Sequence, residues 1–116
     1  MRTTRKQLPP ALRAQLFTDL SIVLTDTRNN QQMCDFLVRF LSPNELLVLS
    51  KRIGILKRLY SDYSYEEIQS ELQVSSATIS SIAAIKDHAS TDRAIDKLAV
   101  HQWAEKVATF IRRLFP

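Results

Sequence analysis

Glycine is almost missing from this chain of 116 residues, with Gly54 alone, and there are only four prolines. Hairpins and sharp turns draw on these residues, so a β-rich fold is disfavoured and helix is expected. One glycine also excludes a glycine-rich cradle for phosphate. A single cysteine, Cys34, rules out an internal disulfide, and His88 and His101 are the only histidines, so no cluster has metal-ligand spacing. No cofactor is expected, and Cys34 is read as a small buried hydrophobe. Neither histidine has an acid or cysteine placed for catalysis, and no nucleophile elbow or zinc-protease motif occurs, so the chain does not read as an enzyme. No apolar run approaches the ~18 residues of a membrane span, and the basic opening Arg2, Arg5, Lys6 is not followed by a signal-like apolar stretch. The expectation is a cytoplasmic protein with no membrane partner.

Hydrophobic residues make up 45% and charged residues 24%, as in a globular domain. The length suits one domain, read as a basic arm over 1–10 followed by a single helical domain over 11–116. The net charge of +4 favours an anionic partner. Arg2, Arg5, Lys6 and Arg13 all precede the first acid, Asp19. A second basic group, Lys51, Arg52, Lys57 and Arg58, falls in one expected helix, where Lys51, Lys57 and Arg58 read as a solvated face.

Apolar spacing and caps give six helices. Leu12, Leu16, Leu20 and Val23 form a stripe over about 11–26, broken by Asn29-Asn30. Met33, Phe36, Leu37, Phe40 and Leu41 make a short second helix too apolar to stay exposed in a soluble monomer. Ser42-Pro43-Asn44-Glu45 is a capping box opening a third helix to about Tyr60. Ser64-Tyr65-Glu66-Glu67 repeats the device for a fourth, and Ser75 can cap a fifth over about 76–87. Ser90 or Thr91 can cap a last helix bearing Ile95, Leu98, Trp103, Val107, Phe110, Ile111 and Leu114, with Trp103 read as a dimer-core anchor.

The segment over about 64–88 has the plan of a helix-turn-helix. Ile68 and Leu72 lie in its first helix, Val74 in the turn Gln73-Val74-Ser75, and Ile79 and Ile82 in its second. Burying these leaves Ser76, Ala77 and Ser80, with Ala84, on a small, hydroxyl-rich outer face suited to the major groove. A helical hairpin that merely packs is the alternative this pattern allows.

Residues LSPNELLVLSKRIGILKRL, followed by SYEEIQSELQVSSATIS, resemble the tryptophan-repressor superfamily, including its YerC/YecD-like branch. The resemblance covers about residues 41–82. It rests most on Leu41-Ser42-Pro43 with Glu45, on Arg52, and on Glu71-Leu72 leading to Ala77-Thr78-Ile79-Ser80. It implies an all-α, six-helix chain forming an intertwined homodimer, with two recognition helices reaching successive major grooves of double-stranded DNA, as a transcriptional repressor. The expected DNA-contacting set is then Ser76, Ala77, Thr78, Ser80, Ser81, Gln69 and Lys86, joined by Arg2, Arg5 and Lys6 of the arm, whose alternative role is a solubilising tail.

Two features depart from that family. Arg52 matches one of the two arginines that enclose the corepressor, which makes it the candidate ligand-binding residue, or else half of a helix-to-helix ion pair. Ser81 and Ile82 stand where the second arginine and a glycine are found, which argues against free tryptophan as corepressor. Residues 62–87 carry five acids against Lys86 alone, with Glu66 and Gln69 where the family has basic DNA contacts. The alternative reading is therefore a helical interaction or assembly module that has lost DNA reading.

Overall fold

The computed structural model describes residues 7–26 and 29–115. Arg2, Arg5 and Lys6 lie outside them. Among the described residues there are six helices and no strand, and no helix is long and apolar enough to cross a membrane. The chain divides into two compact units, Met1–Leu46 and Leu47–Pro116.

In the first unit, Pro10 opens α1 (Pro10–Asp26) at a position where its missing N–H costs no helical bond. Its apolar residues are not confined to one stripe. Leu12, Leu16, Phe17, Leu20, Ile22, Val23 and Leu24 are all exposed, Phe17 by 70%. The hydroxyls between them are already satisfied, since Thr18 donates to the Ala14 carbonyl at 2.9 Å, Ser21 to Phe17 at 3.0 Å and Thr25 to Ser21 at 2.7 Å. Such back-bonded hydroxyls can be desolvated without losing a partner.

Asn29, expected to break the helical run, opens the second helix. Its side chain accepts the Gln32 N–H at 2.8 Å and caps α2 (Asn30–Phe40). Phe36 and Phe40 stack with centroids 5.0 Å apart. Cys34, expected in a core, is exposed. It flanks the stripe of Met33, Phe36 and Leu37, which are half-buried, instead of lying on it. The capping box of α3 (Pro43–Tyr60) forms as expected: Ser42 Oγ accepts the Glu45 N–H at 3.1 Å and Glu45 Oε1 accepts the Ser42 N–H at 2.8 Å. Those bonds from Ser42 hold the Glu45 carboxyl below its ordinary range.

The second unit holds a closed apolar core. Ile55, Leu56 and Leu59 of α3 pack with Ile68 of α4 (Tyr65–Leu72) and with Ile79 and Ile82 of α5 (Ser76–Ala83). Tyr60, Leu72, Val74, Ala83 and Ile95 lie against its edge, Ile95 coming from α6 (Ala89–Leu114). Ile55, Ile68 and Ile79 are 0% exposed. Gly54 marks a close approach, because a Cβ there would sit 3.2 Å from Leu72 Cδ1. The rest of α6 resembles α1, with Val100, Trp103, Phe110, Ile111 and Leu114 exposed.

Two helix boundaries differ from the sequence expectation. α5 ends at Ala83 instead of continuing to about 87, because i to i+3 bonds take over: the Ile85 N–H reaches the Ile82 carbonyl at 3.1 Å, and Lys86 reaches Ala83 at 3.2 Å. The cap of α6 is His88, not Ser90 or Thr91. Its Nδ1 occupies the place of an asparagine oxygen and accepts the Ser90 N–H at 3.2 Å, while Thr91 is buried in the first turn.

Candidate nucleic-acid interface

The helix-turn-helix head consists of α4, the turn Gln73-Val74-Ser75, and α5. Ser64 caps α4 with a complete box: its Oγ accepts the Glu67 N–H at 3.1 Å and Glu67 Oε1 accepts the Ser64 N–H at 3.2 Å. α4 stops at Gln73, which adopts a left-handed conformation (φ 54°, ψ 57°) where glycine is the usual choice. Gln73 offsets part of that cost by donating from Nε2 to the Ser70 carbonyl at 2.7 Å. Ser75 then caps α5, accepting the Thr78 N–H at 3.2 Å and lying 3.0 Å from the Thr78 hydroxyl.

With Ile79 and Ile82 held in the core, helical geometry turns Ser76, Ala77, Ser80 and Ser81 outward, and all four are exposed. Thr78 is only half-exposed and its hydroxyl is engaged in the cap, so it stands apart from this face. Gln69 is half-buried on α4. Lys86 follows α5 and places its ammonium 5.5 Å from the Tyr60 ring centroid, a cation–π contact. Arg52 is exposed on α3.

The ion pair between α3 and α4 is made by Arg58, not by Arg52. Arg58 Nε lies 2.6 Å from Glu71 Oε2, its Nη1 donates to the Gly54 carbonyl at 3.1 Å, and its guanidinium lies 5.9 Å from the Tyr63 ring centroid. Lys51 donates from Nζ to the Gln73 carbonyl at 3.2 Å, tying α3 to the turn. The basic group expected as a solvated face thus has two members that grip the head, and Glu71 is neutralised on the spot. Tyr60, at the end of α3, places its hydroxyl 2.5 Å from the Lys86 carbonyl and within hydrogen-bond distance of the Asp92 carboxylate of α6, two acceptors that share its single proton. The bond to the Asp92 carboxylate, helped by desolvation and by the charges of Asp92, Asp87 and Asp96, pushes the phenol up to about 12.

Sequence reasoning missed Lys51, Arg58 and Tyr60 as partners of the head. Their bonds span 22, 13 and 26 residues and leave no local periodic signal. The acids Asp62, Glu66 and Glu67 remain exposed.

No characterised protein and no solved structure matches the chain. The family model described as Trp repressor protein matches residues 15–91, from within α1 to the first turn of α6 and through the whole head. That span is more than half of the sequence, and its helices follow the order just described; the chain belongs to the Trp repressor protein family, a family of helix-turn-helix DNA-binding regulators.

Proposed function

We propose that this chain is a sequence-specific transcriptional repressor that binds double-stranded DNA as an intertwined homodimer in the cytoplasm, a binding protein and not an enzyme. The observation that carries the reading is the outer face of α5, where Ser76, Ala77, Ser80 and Ser81 are exposed directly over the buried Ile79 and Ile82. Small side chains let the helix backbone come close to the groove floor. Serine hydroxyls can bond to either kind of base edge, and the Ala77 methyl can meet a thymine methyl. Gln69 and Lys86 border this face, and Arg2, Arg5 and Lys6 supply phosphate neutralisation that the acidic head lacks.

The homodimer is supported by apolar surface. A helix apolar over most of its circumference belongs largely inside a core, and α1, with its hydroxyls turned back on its own carbonyls and Gln15 paired with Asp19 on one remaining polar face, has that character. Threading such a helix between two copies covers its wide apolar surface and leaves the Gln15–Asp19 face to water, whereas side-by-side docking covers only one stripe. Free tryptophan is not the corepressor in this reading, because Ile82 is 2% exposed in the core and Ser81 offers no charge to a carboxylate.

Selecting bound DNA from a random pool at low salt, then titrating salt on the enriched site, tests the proposal. An enriched, roughly palindromic site is expected. Failure to enrich one at low salt overturns it in favour of an interaction or assembly module. That second reading draws on the exposed Asp62, Glu66 and Glu67, and it requires that Ser76→Glu with Ser80→Glu leave partner binding and cellular activity intact.

A further inference from the structure

We infer that Lys51, Arg58 and Tyr60 are positioning residues which hold the reading head in its DNA-competent arrangement without a small-molecule effector. The inference rests on the proposed DNA-binding role, and its experiment separates the two.

A head made of two helices of eight residues each is too short to order itself, since helices under ~12–15 residues are marginal alone. Its orientation must come from what it packs on. Here α3 provides three separate attachments. Arg58 fixes the last turn of α4 through Glu71 at 2.6 Å, with Gly54 and Tyr63 fixing Arg58 itself. Lys51 holds the carbonyl of Gln73, the left-handed residue that sets the angle between α4 and α5. Tyr60 closes the far end, its hydroxyl proton shared between the Lys86 carbonyl just beyond α5 and Asp92 in α6, while Lys86 lies over its ring.

Two of the attachments fall where α4 meets the turn and the third just beyond α5, so the head is held at its middle and at its far end. Between them Ile55, Ile68, Ile79 and Ile82 fill the interior. A ligand that switches such a head must bind one arrangement better than another, and every attachment here is already made within the chain. The outer face of α5 takes no part in these contacts, so the positioning residues act through it and do not compete with DNA.

The experiment uses the full chain, dialysed free of small molecules. Backbone amide exchange over residues 73–88 is followed in the absence of DNA, with and without millimolar L-tryptophan, in wild type and in Arg58→Gln, Arg58→Lys and Tyr60→Phe. The affinity ratio of selected to random DNA is measured for the same proteins. Wild type is expected to protect α5 without any addition and to be unchanged by L-tryptophan. Arg58→Gln and Tyr60→Phe should speed exchange over 73–88 and lower the specific-to-random ratio by about tenfold, the size expected from losing one charge-assisted bond. Arg58→Lys should recover part of that loss. A purely structural role would alter global unfolding and leave the ratio alone in folded protein.

Fast exchange of wild-type α5 that slows on adding L-tryptophan overturns the inference, and so do variants with an unchanged ratio and unchanged exchange. If no DNA site is ever selected, the proposed function fails while the exchange measurements still decide whether the head is held.

Discussion

The head and the outer helices use apolar residues in opposite ways. Around α4 and α5, six side chains close into a core with exposures of 8% or less, sealed by caps and three polar attachments. Along α1 and the distal part of α6, side chains as large as Phe17 and Trp103 stand 70% and 67% exposed. Exposed apolar surface on this scale marks an interaction surface. One region completes itself within a single chain, and the other presents the apolar surface that the proposed dimer would cover.

The sharpest way to break that comparison is to remove the residues from Trp103 onward. Trp103, Val107, Phe110, Ile111 and Leu114 bury in the proposed dimer at about 1.5–3 kcal/mol each, together comparable with the ~5–15 kcal/mol of a whole domain. Sedimentation and thermal melting should show loss of both dimer and cooperative folding, and a folded monomer would contradict the proposed partner surface. Next comes Ile79→Ala, which empties a fully buried site in the head and should cost about 2–5 kcal/mol in denaturant unfolding. A cost under ~1 kcal/mol would mean that the head core is not closed.

A smaller effect separates cap from core. Ser75→Ala removes the acceptor of the Thr78 N–H and should destabilise by about 1 kcal/mol. Gln73→Gly should do the reverse, raising stability by up to about 1 kcal/mol by relieving the positive φ, less what the Ser70 bond supplied.

The finest test is pH. The phenol of Tyr60 is raised to about 12 in the folded chain against 10.0 unfolded, so folding favours its protonated form. That contribution is complete below pH 10 and fades as pH climbs through the folded value. Between pH 10 and 12 wild type should lose stability more steeply than Tyr60→Phe, measured as the difference between the two unfolding curves. Parallel curves would remove Tyr60 from the account of how the head is closed.

What was readable in the sequence follows the range of the forces involved. Ser42, Ser64 and Ser75 act on amides three residues away, so their motifs announced α3, α4 and α5 directly. The inward set Ile68, Leu72, Val74, Ile79 and Ile82 followed from helical periodicity, and with it the outer face of α5. His88 was missed because an imidazole cap lacks the usual hydroxyl or amide signature. The early end of α5 comes from a switch to i to i+3 bonds that no cap residue announces, the Tyr60 bond to Lys86 spans 26 residues, and the grip of Arg58 and Lys51 on the head depends on how α3 crosses it. Gly54 offered a hint, since a glycine inside a helix costs stability relative to alanine and here admits the approach of Leu72.

The central claim is that two copies of α5 read DNA from a shared dimer. Chemical footprinting of the pool-selected site in the major groove tests it most directly, run on the complex whose protein stoichiometry is measured in parallel. The account predicts two protected patches on one side of the duplex, about 10 base pairs apart, bound by two chains and lost with Ser76→Glu and Ser80→Glu. A single patch bound by one chain, or protection that survives those substitutions, would contradict it.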